Sequence, residues 1–158
     1  MTGQNEKFMR RAIVLGQNGI DANNGGPFGA VVVRNGEIIG EGSNRVTSTN
    51  DPTAHAEIVA IREACRNLNS FQLEGCEIYT SCEPCPMCLG AIYWARPARM
   101  FFACTRQDAA NAGFDDDFIY EEIALPVNER RIETVNFLRD EGLLLFENWI
   151  KKPDKTEY

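Results

Sequence analysis

The sequence has a single histidine, His55, among its 158 residues, so any chemistry that needs an imidazole depends on that one position. It also lacks a long hydrophobic run. The longest uncharged apolar stretch near the N-terminus covers only residues 12–15, whereas a membrane span needs about 20 residues and a signal-peptide core needs roughly 7 to 15. These absences predict a soluble, cytoplasmic protein that has no membrane partner.

Large clusters of basic residues are also missing, since none exceeds a pair such as Arg10-Arg11 or Lys151-Lys152. Residues 1–107 contain ten basic and ten acidic residues, and residues 108–158 contain six basic and thirteen acidic residues, so the net charge of −7 arises entirely in the C-terminal part. Affinity for a long nucleic acid comes mainly from Lys and Arg that neutralise phosphates. The composition therefore argues against nucleic acid as a partner.

The length fits one domain over residues 1–158, which can bury roughly two thirds of its unfolded surface. Asn35-Gly36 between two apolar runs predicts a hairpin. Further patterns predict helices that begin near residues 5, 51 and 84, strands at 76–81 and 99–104, and a last helix at 140–150. Alternating strands and helices predict an α/β protein, a three-layer α/β/α sandwich around a mixed, mostly parallel sheet that we expect to have five strands.

Three of the six cysteines form the pattern Cys82-x-x-Cys85-x-x-Cys88. Since nothing in the sequence indicates secretion, metal binding is a better interpretation of this pattern than disulfide formation. Cys85 and Cys88 lie about one turn apart on a predicted helix, so both sulfurs can reach one ion, and the helix N-terminus favours their thiolate forms. The pattern predicts two metal ligands and needs a third.

His55 can supply that third ligand, and Glu57 follows it at a spacing suited to proton transfer. Two thiolates and one imidazole form a zinc site with an open position for water, which is typical of catalytic zinc. Two other interpretations stay open. A histidine near a helix start often serves only as a cap or polar contact, and a fourth ligand, Cys82, would close a structural Cys₃His site in an interaction module. The Glu83-Pro84 turn argues against that closure.

His-x-Glu together with Pro-Cys-x-x-Cys matches the known signature of zinc deaminases. At these residues the chain resembles the cytidine deaminase-like superfamily, and along nearly its whole length it is similar to the small bacterial guanine deaminases. The segments that carry the closer similarity are residues 25–30, 50–57, 79–97, 112–116 and 157–158. The resemblance implies one zinc ion per subunit, held by His55, Cys85 and Cys88, with Glu57 as the proton shuttle.

The resemblance also implies a set of substrate contacts: Phe28, Asn44, Ala56, Trp94, Asp116 and Tyr158. Asp116 would be a second proton carrier, Phe28 and Trp94 would form a slot for a flat ring, and Tyr158 would close over it. The segment from about 140 to 158 would be exchanged between the subunits of a homodimer. Without the resemblance, Phe28 is equally a core residue, Trp94 a packing residue at a helix end, and Asp116 part of a solvated loop.

The function that the resemblance implies is the hydrolysis of guanine to xanthine and ammonia. The signature alone also suits a deaminase of a nucleoside, such as guanosine or cytidine. A tRNA adenosine deaminase shares the His-Ala-Glu and Pro-Cys-x-Met-Cys segments, but recognition of an RNA stem-loop needs a basic face, and the charge distribution argues against one.

Overall fold

The computed structural model describes residues 3–114 and 116–158. Its elements are α1 (Gly3–Asp21), β1 (Gly29–Arg34), β2 (Glu37–Ser43), α2 (Val46–Thr49), α3 (Ala56–Leu68), β3 (Cys76–Cys82), α4 (Pro86–Ala95), β4 (Arg99–Cys104), α5 (Arg106–Asn111), α6 (Asp117–Ala124), a 3₁₀ turn (Val127–Glu129) and α7 (Arg139–Lys151). The chain forms two compact units, one that ends at Asp117 and one that comprises Phe118–Tyr158.

The first unit is built on a mixed sheet whose strand order is β2-β1-β3-β4. A mixed sheet was predicted, but the expected count of five strands was wrong, since four strands pair within the described residues. Only β3 and β4 pair in parallel, whereas β1 runs antiparallel to both β2 and β3. The helical crossovers do join parallel strands, as predicted. β2, β3 and β4 thus run in one direction, and β1, which lies between β2 and β3, runs against them.

The hairpin between β1 and β2 forms where Asn-Gly predicted it. Asn35 and Gly36 both have positive φ angles, 53° and 81°, which a tight two-residue hairpin turn requires. The turn sets the register in which Arg34 pairs with Glu37.

Helices cover both faces of the sheet, which confirms the three-layer prediction. Alternate residues of β1 face opposite layers, as the two-residue period of a strand requires. On one face, Val31, Val33 and Tyr79 pack with Phe8 of α1. On the other face, Ala30, Val32, Cys76 and Ile78 pack with Ala56, Ala60 and Ala64 of α3 and with Ile92 and Ala95 of α4.

Two glycines let α3 lie directly against β2. A Cβ atom at Gly42 would be 2.1 Å from the carbonyl oxygen of Ala56, and a Cβ atom at Gly40 would be 2.5 Å from the carbonyl oxygen of Ala60. Neither distance is sterically possible, so this approach of two backbones requires glycine on the strand. The contact fixes the N-terminal end of α3, which carries His55 and Glu57.

α3 begins several residues later than the predicted start at residue 51. The Asp51 carboxylate accepts hydrogen bonds from the main-chain N–H and the hydroxyl of Thr53, at 2.8 and 2.6 Å, and this local turn replaces the predicted helical cap. His55 occupies the N-cap position with an extended backbone, and its side chain makes no capping bond. The imidazole is therefore free of the usual capping role.

The second unit contains α6 from Phe118 onward, the 3₁₀ turn and α7, of which only the last was predicted. α7 covers the predicted helix at 140–150 and has several exposed apolar side chains, namely Leu144, Leu145, Phe146 and Ile150. Within the described residues, no helix is both long enough and apolar enough to span a bilayer.

Candidate metal centre and active-site cavity

His55, Cys85 and Cys88 come together where the N-termini of α3 and α4 meet. The Nδ1 atom of His55 lies 3.6 Å from the Sγ of Cys85 and 3.5 Å from the Sγ of Cys88. Tetrahedral zinc, with Zn–N near 2.0 Å and Zn–S near 2.3 Å, places nitrogen and sulfur about 3.5 Å apart. The three donor atoms all lie within 4.8 Å of one another, so the group fits a zinc ion.

The two thiols differ in their ionisation. The hydrogen bond from the Cys88 thiol is the main cause that lowers the pKa of Cys85 to about 4, and the interaction with His55 lowers it further. The same bond raises the pKa of Cys88, as does its burial. The hydrogen bond to Cys85 raises the pKa of His55. Cys85 is therefore a thiolate at neutral pH, and a metal that binds here must displace the proton of Cys88.

Cys82 does not belong to this group. Its thiol donates a hydrogen bond to the carbonyl oxygen of Thr105 at 3.5 Å. Burial, and secondarily the nearby Cys104, raises the pKa of Cys82 to about 11, so the thiol stays protonated at neutral pH. The closed Cys₃His arrangement is therefore not the one that the structure forms. All six cysteines are free of disulfide bonds.

Glu57 is a buried carboxyl group beside the metal ligands, with only 7% of the residue exposed. It lies on the first turn of α3. Burial is the main cause that raises the pKa of Glu57. A carboxyl group whose pKa is shifted toward neutrality can take up a proton and release it again.

A cavity of about 250 Å³ adjoins these residues. It is lined by Gly26, Phe28, Asn44, Val46, Thr47, His55, Glu57, Cys82, Glu83, Cys85, Arg106, Ala109, Phe114 and Asp116. A larger groove of about 630 Å³ lies between α1 and β4, but its lining includes none of the three metal-ligand candidates. The smaller cavity is the candidate active site, because it alone of these two opens onto the metal-binding group.

Asn44 presents one defined chemical group to the cavity. Its Oδ1 accepts hydrogen bonds from the main-chain N–H groups of Gly26, at 3.3 Å, and Val46, at 3.2 Å. Both partners are donors, so they fix the orientation of the side-chain amide. Within the described residues its Nδ2 makes no hydrogen bond, and since no fully enclosed side-chain polar atom there lacks a partner, Nδ2 is accessible from the cavity. The amide N–H groups are thus offered to a ligand, which must supply an acceptor.

Two aromatic rings form an apolar wall of the cavity. Phe28, which was predicted, meets Phe114 edge to face, with 4.9 Å between ring centres and 80° between planes. Asp116, which was predicted as a substrate contact, also lines the cavity, and burial is the main cause that raises its pKa. Phe114 was missed as a site residue, although it lies in the 112–116 segment that marked the similarity. Glu83 and Arg106 were also missed, since no local pattern distinguishes them from surface charges.

Three predicted contacts lie outside the cavity lining of the first unit. Ala56 is fully buried and packs in the core against the sheet. Trp94 is 64% exposed on α4. Tyr158 belongs to the second unit and is 70% exposed. Their roles toward a substrate stay predictions.

The chain is similar to known deaminases in both sequence and structure. Residues 2–104 match the family model described as the cytidine and deoxycytidylate deaminase zinc-binding region. The chain is 56% identical to guanine deaminase of Bacillus subtilis over 153 residues, which are 97% of this chain and 98% of that protein. The crystal structure of guanine deaminase from Bacillus subtilis superposes with a TM-score of 0.95 and 54% identity, covering 100% of this chain and 99% of that one.

Other matches include a relative named for a different substrate and a structure with a bound purine. The tRNA-specific adenosine deaminase of Aquifex aeolicus is 39% identical over 80% of this chain and 81% of that protein. A further solved structure, 36% identical over 69% of this chain and 61% of that one with a TM-score of 0.66, is a complex with 2,6-diaminopurine.

The position of Cys82 leads to a prediction about metal content. We expect Cys82→Ser to keep the zinc stoichiometry of the natural protein, because a hydroxyl can donate to the Thr105 carbonyl and no ligand is lost. Cys85→Ser, one turn of α4 away from Cys88, should lose most of the zinc. Atomic absorption on dialysed protein measures both, and equal zinc loss in the two variants would place Cys82 among the ligands.

Proposed function

The chain belongs to the cytidine and deoxycytidylate deaminase zinc-binding family, and from that premise we propose that it hydrolyses guanine to xanthine and ammonia. The observation that carries the proposal is a cavity of single-base size that opens directly onto His55, Cys85 and Glu57. Its volume of about 250 Å³ is below the roughly 300 to 1,000 Å³ that is typical of drug-sized ligands. The high identity to a guanine deaminase along the whole chain supports the same substrate.

His55, Cys85 and Cys88 would hold one zinc ion per subunit. When bound, zinc acts as a Lewis acid that makes water a nucleophile at neutral pH. Deamination adds water to the ring carbon that carries the amino group and breaks the carbon–nitrogen bond, and the overall reaction converts guanine and water to xanthine and ammonia.

Glu57 would carry the protons of this reaction. The nucleophilic water must lose a proton and the departing amine must gain one, so a single carboxyl group between them can accept the first and supply the second. The burial of Glu57 supports this role, because it raises the pKa of the group and removes competing bulk water. Asp116, on the cavity lining, would be a second proton carrier or an acceptor for a ring N–H.

Asn44 would orient the ring. Its fixed amide donates hydrogen bonds, and guanine has acceptors at the C6 carbonyl and at the unprotonated ring nitrogens. The edge-to-face pair of Phe28 and Phe114 offers an apolar surface to a flat ring. Together these groups favour a planar base with an acceptor edge over an extended polar ligand.

The remaining predicted contacts would be completed in a homodimer. We propose that the segment from about 140 to 158 is exchanged between subunits, so that Tyr158 closes over the partner's cavity. Ala56 would contribute at the start of α3, and Trp94 would become a wall of the slot. The exposed apolar side chains of α7 support burial of that helix against another surface in solution.

A substrate panel tests the proposed function. Zinc-loaded protein should release ammonia from guanine, and much more slowly or not at all from guanosine, adenine, cytosine and cytidine. Release mainly from a nucleoside would keep the chemistry and overturn the substrate. Deamination of an adenosine in tRNA, with tight and salt-sensitive binding, would favour the function of the tRNA-specific relatives instead.

Glu57→Gln should retain zinc and lower kcat for guanine by about 100- to 10,000-fold, which is the usual contribution of general acid–base catalysis. Glu63→Gln is a matched control on the same helix, because Glu63 lies outside the cavity and a glutamine can still accept the hydrogen bond from the Glu41 main chain. Ammonia release and zinc content measure both variants. Turnover retained by Glu57→Gln would remove Glu57 from the mechanism.

Asn44→Asp should raise KM for guanine by about 10- to 100-fold, because aspartate keeps an acceptor for Gly26 and Val46 but cannot donate to the base. Asn44→Ala, which also loses the main-chain bonds, should in addition lower the melting temperature. Steady-state kinetics and thermal unfolding separate the two effects. An unchanged KM for Asn44→Asp would show that Asn44 does not bind the ring.

The exchanged tail predicts a particle of two chains in light scattering. Deletion of residues 155–158 should leave the dimer mass unchanged, since α7 remains, and should raise KM because Tyr158 is removed. A monomeric mass for the full chain, or full activity of the truncated chain, would contradict the proposed role of the tail.

A further inference from the structure

A contact series of polar groups runs along the rim of the cavity and connects the metal-ligand loop to the substrate-facing wall. It consists of Glu83, Arg106 and Asp117. Glu83 lies two residues before Cys85, Arg106 begins α5, and Asp117 directly follows Asp116. These positions come from three separate segments of the first unit, and the contacts between them determine how the segments are placed.

Glu83 is the member of this contact series that lies beside the metal-ligand loop. Its main-chain N–H donates to the carbonyl oxygen of Cys104 at 2.8 Å, which ties the start of the loop to the end of β4. Its carboxylate Oε2 accepts a hydrogen bond from the main-chain N–H of Arg106 at 3.1 Å. This N–H belongs to the first turn of α5 and has no partner within the helix, so the carboxylate satisfies it and adds a favourable charge at the helix N-terminus.

Arg106 extends the contact series toward the opposite wall of the cavity. Its Nη1 lies 3.5 Å from the Oδ1 of Asp117. An exposed ion pair of this kind adds little to stability, but it joins α5 to the residue that directly follows Asp116. α5 itself is held rigidly by a capping box in which Thr105 and Asp108 bond to each other's main-chain N–H groups.

We propose that Glu83 and Arg106 are positioning residues that hold Asp116 and the α5 wall at a fixed distance from the metal ligands. Neither residue moves a proton in this scheme. The inference rests on the proposed function, in which Asp116 contacts the purine. A displacement of about 1 Å in a catalytic site can lower the reaction rate strongly. Loss of this contact series should therefore weaken substrate binding more than it affects the metal centre.

Variants of Glu83 separate positioning from acid–base chemistry. Glu83→Ala, in zinc-loaded protein, should raise KM for guanine by about 3- to 10-fold, with kcat and zinc content close to those of the natural protein. Glu83→Gln keeps an oxygen that accepts from Arg106 and should restore KM to within about twofold. Glu74→Ala, at an exposed glutamate outside the cavity lining, is the matched control. A Glu83→Gln variant as impaired as Glu83→Ala would overturn the positioning role.

Variants of Arg106 and Asp117 test whether the three residues act as one contact series. Asp117→Ala should raise KM as Arg106→Gln does, although Asp117 is not part of the cavity lining. If Arg106 instead contacted the substrate directly, Asp117→Ala would behave like the natural protein, and the proposal would be wrong. The double variant Glu83→Ala/Asp117→Ala should raise KM by less than the product of the two single increases, because both substitutions interrupt the same contact series.

Binding of xanthine, followed by calorimetry, gives a readout that needs no turnover. Its Kd should rise in parallel with KM in Glu83→Ala, Arg106→Gln and Asp117→Ala. Natural protein that releases no ammonia from guanine would overturn the proposed function and this inference with it. If the natural protein is active and KM and Kd are unchanged in all three variants, only the positioning role of the contact series would be wrong.

Discussion

The site depends on the direct approach of α3 to β2. Gly40 and Gly42 remove the side chains that would otherwise hold the helix away, and small alanines on α3 pack into the space. A helix that stood farther from the sheet would carry His55 away from the thiols at the start of α4. The placement of one imidazole at 3.5 to 3.6 Å from two sulfurs therefore begins with a steric property of a strand.

Burial is the second constraint, because it acts on the metal ligands and the carboxyl group together. The hydrogen bond between the two thiols makes Cys85 a thiolate and keeps Cys88 protonated until a cation replaces the proton. The same enclosed environment raises the pKa of Glu57, which suits it to carry protons near neutral pH. Cys82 is close in sequence but bonds to Thr105, so three side chains and not four form the candidate metal-binding group.

Local sequence patterns predicted those parts of the fold in which local chemistry decides the structure. The Asn35-Gly36 hairpin, the strands that begin at Cys76 and Arg99 and the helix after Cys85 all formed as expected. The start of α3 was predicted too early because the Asp51 turn satisfies its own polar groups. The count of five strands was wrong because the number of strands that join one sheet depends on contacts between residues that are far apart in sequence.

The sequence by itself determined the chemistry of the site: one imidazole, a pair of thiols at helical spacing and a carboxyl group two residues from the histidine. Those identities limit the metal and the reaction, because ligand type and proton transfer are properties of side chains. Only the tertiary structure decided which groups line the cavity beside that site. The orientation of the Asn44 amide, the Phe28–Phe114 wall and the contact between Glu83 and Arg106 join residues from distant segments, and no local pattern can encode such meetings.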